Sequence, residues 1–349
     1  MGEPRRSLRN ARMGFLSYSL GFYRDELQRF ENTTVTSAGL YRARRLLRML
    51  DDLADEGYTE LNEELEGAFS GVSRLREYLK RNNTEPFPPP PKWADAGELS
   101  YSEQDMELRC AISQTMRDAS AMPLAEPLPF ADKLRRFCEW VGYDGKTAYV
   151  FLLRDTLLPF VRYSAQGRGC VYPWLLSRSS FAALTGRENA DDEIRAPIYR
   201  ALEAGCTEWR SFLRFVMPDI RKTIAGYPRA KDVLCSMLEG VDAERILVVE
   251  SGCTGTFPLL LMSLDDRVDM RMYTTYPYLT DVFAERIFTS GYEENRLFET
   301  MASQELYFRF SGVRNGKFFM RKCTDAAVEA RALAEIRMMQ PARTERPGI

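Results

Sequence analysis

Short apolar runs alternate with helical stretches through the second half of this chain, and that alternation leaves few folds open. The runs are TAYVFLL (147–153), CVYPWLLS (170–177), ILVV (246–249) and VDMRMYTT (268–275). Each has the length and the β-branched or aromatic content of a buried strand, and each is followed by a turn and a helix-like segment. Strands spaced by helices imply an α/β fold with a mainly parallel sheet covered by helices. Pro173 cannot donate to a ladder, which favours an edge position for the second run or a late start of its strand. Three helical stretches at about 191–204, 207–226 and 230–239 make a helical insertion over about 186–240. ELYFRFSGVRNGKFFMRK (305–322) predicts a hairpin around Asn315-Gly316. A last helix is expected over 324–338.

Upstream the texture differs. Residues 1–83 read as a helical N-terminal region, with Leu40, Leu46, Leu47, Leu50 and Leu53 at helical spacing. TEPFPPPPKWADAGEL within 84–100 cannot continue a helix and reads as a proline-rich linker. The α/β domain is then expected over 101–340. The N-terminal helices are candidates for a protein partner.

Composition removes several kinds of chemistry. The 349 residues contain no histidine, which excludes Ser-His-Asp and Cys-His catalysis and histidine metal sites. Catalysis would rest on carboxylates, Lys, Arg, Tyr, hydroxyls, backbone amides or a hard oxygen-bound cation such as Mg²⁺. A formal charge of −2 gives nucleic-acid binding no global support. The seven cysteines never form C-x-x-C, the pattern of reduced thiols in a cytoplasm. No apolar run reaches the length of a membrane span.

Ligands of open α/β sheets bind at the carboxyl ends of the strands. Three such ends carry polar residues here: Arg154-Asp155-Thr156, Ser177-Arg178, and Glu250 through Thr256. If the sheet is parallel, all three can converge on one crevice. Ser251-Gly252-Cys253-Thr254-Gly255-Thr256 is a small-residue turn before a helix, which suits a phosphate because backbone N–H groups can approach it closely. Glu250 can hold Mg²⁺ or a ribose hydroxyl. The plainer alternative is that Thr254 or Thr256 caps the helix and Gly252 relieves a tight turn. Tyr273 and Tyr276, in YTTYPYL, are candidates to stack on a base or sugar.

The segment ILVVESGCTGT resembles the phosphoribosyl-diphosphate loop of type I phosphoribosyltransferases: apolar residues, acid, then a Thr/Gly-rich turn around a 5′-phosphate. VFLLRD, with Arg154 at its end, resembles that family's diphosphate-contacting strand end. Ser251 stands where the family has its second acid. FLLRD, LLSR and ESGCTGT also follow the order of motifs in a bacterial family of predicted proteins. Those are tied to surface-polysaccharide loci and fused to haloacid-dehalogenase-type domains. The likeness covers about residues 146–275.

The resemblance implies a protein binding a phosphorylated ribose or nucleotide, with transfer of a phosphoribosyl group assisted by Mg²⁺. Glu250 would steady metal or ribose, Ser251 to Thr256 the phosphate, and Arg154, Asp155 and Arg178 the diphosphate or a second anion. A non-catalytic nucleotide-sensing or protein-interaction module of the same fold is the alternative. Third comes a Rossmann-type methyltransferase using S-adenosylmethionine, for whose glycine motif Thr254 and Thr256 occupy glycine positions.

Overall fold

In a computed structural model of the chain, the described residues are 93–99, 101–122, 131–153, 155–167, 170–187, 190–251, 255–274, 280–289, 303, 309–314 and 317–340. The chain divides into two compact units, Met1–Pro90 and Pro91–Ile349. The helical region expected over 1–83 lies outside the described residues.

Eight strands and ten α-helices are described. The strands are β1 (Trp93–Leu99), β2 (Thr147–Leu152), β3 (Val171–Trp174), β4 (Arg245–Ser251), β5 (Val268–Thr274), β6 (Ile287–Thr289), β7 (Arg309–Arg314) and β8 (Lys317–Cys323). The helices are α1 (Tyr101–Ala121), α2 (Ala131–Val141), α3 (Leu157–Ala165), α4 (Arg178–Thr185) and α5 (Ala190–Glu203), followed by α6 (Trp209–Ala225), α7 (Pro228–Glu239), α8 (Thr256–Leu264), α9 (Thr280–Phe283) and α10 (Ala326–Met339).

Five strands form an all-parallel sheet in the order β3-β2-β4-β5-β6. Alternation along the strands sends successive side chains to opposite faces, and both faces are covered. Ala148, Val150, Ile246, Val248, Met270 and Met272 pack with α4 to α8 on one face. Tyr149, Phe151, Leu247, Val249 and Tyr273 pack with α1, α2, α3 and α10 on the other. Every residue of β2 is buried, as a strand enclosed on both faces requires. Pro173 sits on the edge strand β3, whose only sheet neighbour among the described strands is β2.

The order of connections fixes where a crevice opens. From β2 the chain passes through α3 on one face to β3. It then returns through α4, α5, α6 and α7 on the opposite face to β4, on the other side of β2. From β4 it continues through α8 on that second face to β5. The connections therefore diverge between β2 and β4, a topological switch point.

A second, three-stranded sheet has the order β1-β8-β7, antiparallel throughout. Strands β7 and β8 are the arms of the expected hairpin. Strand β1 corrects the reading of 84–100 as linker throughout, because residues 93–99 pair with β8, Trp93 opposite Cys323 and Leu99 opposite Phe318. WADAGEL follows the proline run but contains no proline, so every residue keeps the N–H that a ladder needs.

Candidate functional site

Parallel strands place the ends of β2, β3 and β4 on one edge of the sheet. The loop after β2 carries Asp155, the start of α4 carries Arg178, and Glu250 is the penultimate residue of β4. Alternation puts Glu250 on the same face as Val248 and its β5 partner Met272, toward α4 and α5. The residue as a whole keeps some exposed surface, but its Oε2 is sealed from solvent and has no hydrogen-bond partner among the described residues.

Burial pushes the Glu250 carboxyl up to about 8, the Asp155 carboxylate adds to the rise, and Arg195 and Arg178 oppose it. A charged carboxylate without its solvation shell is costly, so the proton stays to higher pH. The same interactions give the neighbourhood its membership: Asp155, Arg178 and Arg195 lie within electrostatic reach of Glu250. Three of these four were expected from the strand ends.

Arg195 was not anticipated, nor was its partner Asp191. Both sit on α5 in the helical insertion. Arg195 bridges Asp191 at 2.5 Å and Asp192 at 2.9 Å. The Asp191 side chain is only 5% exposed, and Arg178 Nε lies 3.9 Å from the same Oδ2. Arg178 itself is 61% exposed, so Arg195 is the anchored guanidinium and Arg178 the open one. The only sequence signal was Asp191-Asp192 followed by Arg195 at helical spacing, which looks the same on any solvated helix.

Two helices begin at this edge with no side-chain cap from their N-cap residues. Thr156 precedes α3, but its Oγ1 donates to Leu152 O at 2.7 Å, back along the chain. Gly255 precedes α8 in a left-handed conformation, φ +64°, and has no side chain to offer. Neither Thr254 nor Thr256 is the cap residue, since Gly255 holds that position and Thr256 is the first residue of the helix. Glycine is demanded twice over at 255. Besides the positive φ, an added Cβ would stand 2.9 Å from both Met270 Cε and Met272 Sδ. Uncapped helix starts direct backbone N–H groups and the positive end of the dipole outward, an environment that favours anions. By contrast α4 is capped in full, Ser177 accepting from the Ser180 N–H and Ser180 answering to the Ser177 N–H. The Ser177 hydroxyl is thus engaged in holding the helix that presents Arg178.

Two expectations change. Tyr273 is 1% exposed, its ring edge-on to Phe137 at 5.4 Å and stacked on Phe288 at 5.9 Å. It is a core residue and offers no face to a base or sugar, because its place in β5 directs it under α2. Ser251 pairs with Tyr273 across the ladder, so its side chain lies on the opposite face of the sheet from Glu250. Arg154, Gly252, Cys253, Thr254 and Tyr276 lie outside the described residues.

Asp155 is the carboxylate whose charge acts on Glu250, and Asp191 is held by the two arginines. Among the described residues no three His, Cys, Asp or Glu side chains form a group able to hold a metal. Mg²⁺ commonly takes one or two carboxylates and completes its shell with substrate phosphates and water. Glu250 and Asp155 make no preformed cage, and the proton that burial keeps on Glu250 would have to leave before that carboxyl could hold a cation. The six described cysteines are free, and no helix among the described residues is long and apolar enough to cross a membrane. Comparison of the chain with protein-family models, curated proteins and solved structures finds no match.

Proposed function

We propose that the crevice between β2 and β4 binds a phosphorylated ribose or a nucleotide through its phosphate, as a phosphoribosyltransferase-like site. The observation that carries this reading is Glu250. Its buried oxygen, without a hydrogen-bond partner among the described residues, lies at a switch point within reach of Arg178 and Arg195, beside two helix starts whose N-cap residues supply no side-chain cap. An anion meets N–H dipoles and an exposed guanidinium there, and the Glu250 carboxyl has hydrogen-bonding capacity left for the ligand.

If the protein turns over, the reaction is displacement at the anomeric carbon of the phosphorylated ribose. Mg²⁺ held by Glu250 and Asp155 would neutralise charge on the ligand's phosphate oxygens. Arg178 would meet the departing anion, Arg195 and Asp191 would keep Arg178 in place, and the starts of α3 and α8 would orient the phosphate. Electrostatic positioning of this kind needs no histidine.

A non-catalytic binder of the same ligands is the second reading. It is favoured by the side of the sheet that Ser251 occupies and by the protonation of Glu250 near neutral pH, since only one carboxylate, Asp155, is then left to hold a metal.

Calorimetry with ribose 5-phosphate, phosphoribosyl diphosphate, a nucleotide panel and S-adenosylmethionine, each with and without Mg²⁺, tests both readings. Binding of the phosphorylated ligands with weaker binding by Glu250→Ala supports the site. Binding without turnover selects the second reading. Binding of S-adenosylmethionine alone, or Glu250→Ala binding as tightly as wild type, removes the assignment.

A further inference from the structure

A crossover from β3 to β4 needs one helix, and this one contains four. Helix α6 buries a single stripe, Phe212, Val216, Ile220 and Ile224, in the core. Its exposed arc carries Arg210, Arg214, Arg221 and Lys222 together with Phe215, with the half-exposed carboxylate of Asp219 at its border. Among the described residues Arg210, Arg214 and Lys222 make no ion pair. Arg221 donates from Nε to the Ser263 carbonyl at 3.1 Å and lies 3.8 Å from Asp266, whose side chain is 99% exposed. The nearest acid on the helix itself, Asp219, is engaged with Arg200 from α5. Phe215 is 44% exposed, one of two large hydrophobic side chains so placed among the described residues. In a chain whose net charge is −2, this is a concentrated basic face with an apolar contact at its edge.

We infer that this face of α6 docks an acidic helical segment of a partner protein, its carboxylates along the arginine stripe and one apolar residue against Phe215. Spacing favours that occupant. Arg210 and Arg214 stand one turn apart on one face and Arg221 two turns beyond, over about 17 Å, and carboxylates four and seven positions apart on a partner helix repeat at matching intervals. A nucleic-acid strand presents charge about every 3.4 Å and rewards a denser array. A bilayer needs a broad apolar face, and that of α6 already faces the core.

The test uses the full chain and a fluorescent synthetic helical peptide of glutamate and alanine, with Glu at three- and four-residue spacing and one leucine beside them. Anisotropy should rise at about 50 mM salt and the complex should be lost by about 0.5 M salt. Arg210→Glu with Arg214→Glu should weaken binding by about tenfold or more, and Phe215→Ser by a smaller factor. These positions are exposed, so each variant should keep the wild-type circular dichroism and thermal midpoint. No binding at low salt, or equal binding by the charge-reversed variant, overturns the inference. So does a preference for phosphatidylserine vesicles or a single-stranded oligonucleotide over the peptide.

Discussion

Replacing Glu250 by glutamine should alter how the stability of this protein depends on pH. Burial raises the Glu250 carboxyl from its ordinary 4.5 to about 8, with Asp155 adding to the rise and Arg195 and Arg178 opposing it. The folded state thus holds a proton that the unfolded chain releases near pH 4.5. Between these two values the native state binds more protons, so stability falls as pH rises and the loss is complete above the folded value. At about 1.4 kcal/mol per pH unit the full span corresponds to roughly 5 kcal/mol, and relaxation around a buried charge reduces this to about 3–5 kcal/mol. Glutamine keeps the shape and cannot ionise. The expected result is near-equal stability of wild type and Glu250→Gln at pH 5, with the variant more stable by about 3–5 kcal/mol at pH 9. Urea denaturation of both proteins at half-unit steps from pH 5 to 9 measures the difference. A difference that does not change with pH would refute the assignment of a buried, proton-holding carboxyl at the end of β4.

Other substitutions separate structural from exposed groups. Arg195→Ala strips the nearly buried Asp191 of its close partner and should cost about 3 kcal/mol; Arg178→Ala, at an exposed side chain, should cost under about 1 kcal/mol, both read from denaturation midpoints. Gly255→Ala forces an L-residue to φ +64° against Met270 and Met272 and should cost about 1–2 kcal/mol. Phe151→Ala empties a ring site packed against Phe160 and Tyr163 and should cost about 3–5 kcal/mol; a loss under about 1 kcal/mol would show that the face under α3 is loosely packed.

The sheet was legible because its strands are short apolar runs with helices between them, a pattern that admits few arrangements. Pro173 marked the edge, and Asn315-Gly316 marked the hairpin by the demands of a two-residue turn. The strand at Trp93–Leu99 was hidden by the prolines before it, since composition blurs a boundary that one missing N–H decides. At the site, Glu250, Asp155 and Arg178 could be gathered from strand ends alone. Arg195 and Asp191 could not, because their importance depends on how α5 packs across the sheet edge. Tyr273 was misplaced for a related reason: the ladder parity that directs Glu250 toward α5 directs its neighbour's partner into the opposite core.

The switch point has a consequence for the order of folding. Its two walls come from β2 and β4, and the register Phe151 opposite Val249 joins segments separated by β3 and the whole four-helix crossover. Closing so long a loop carries an entropic cost that only the finished sheet repays. Strand β2 can meet β3 early, since one short helix separates them, but the crevice does not exist until β4 docks against β2. A ligand held there would bind only the completed molecule, so it should slow unfolding without accelerating the first steps of collapse.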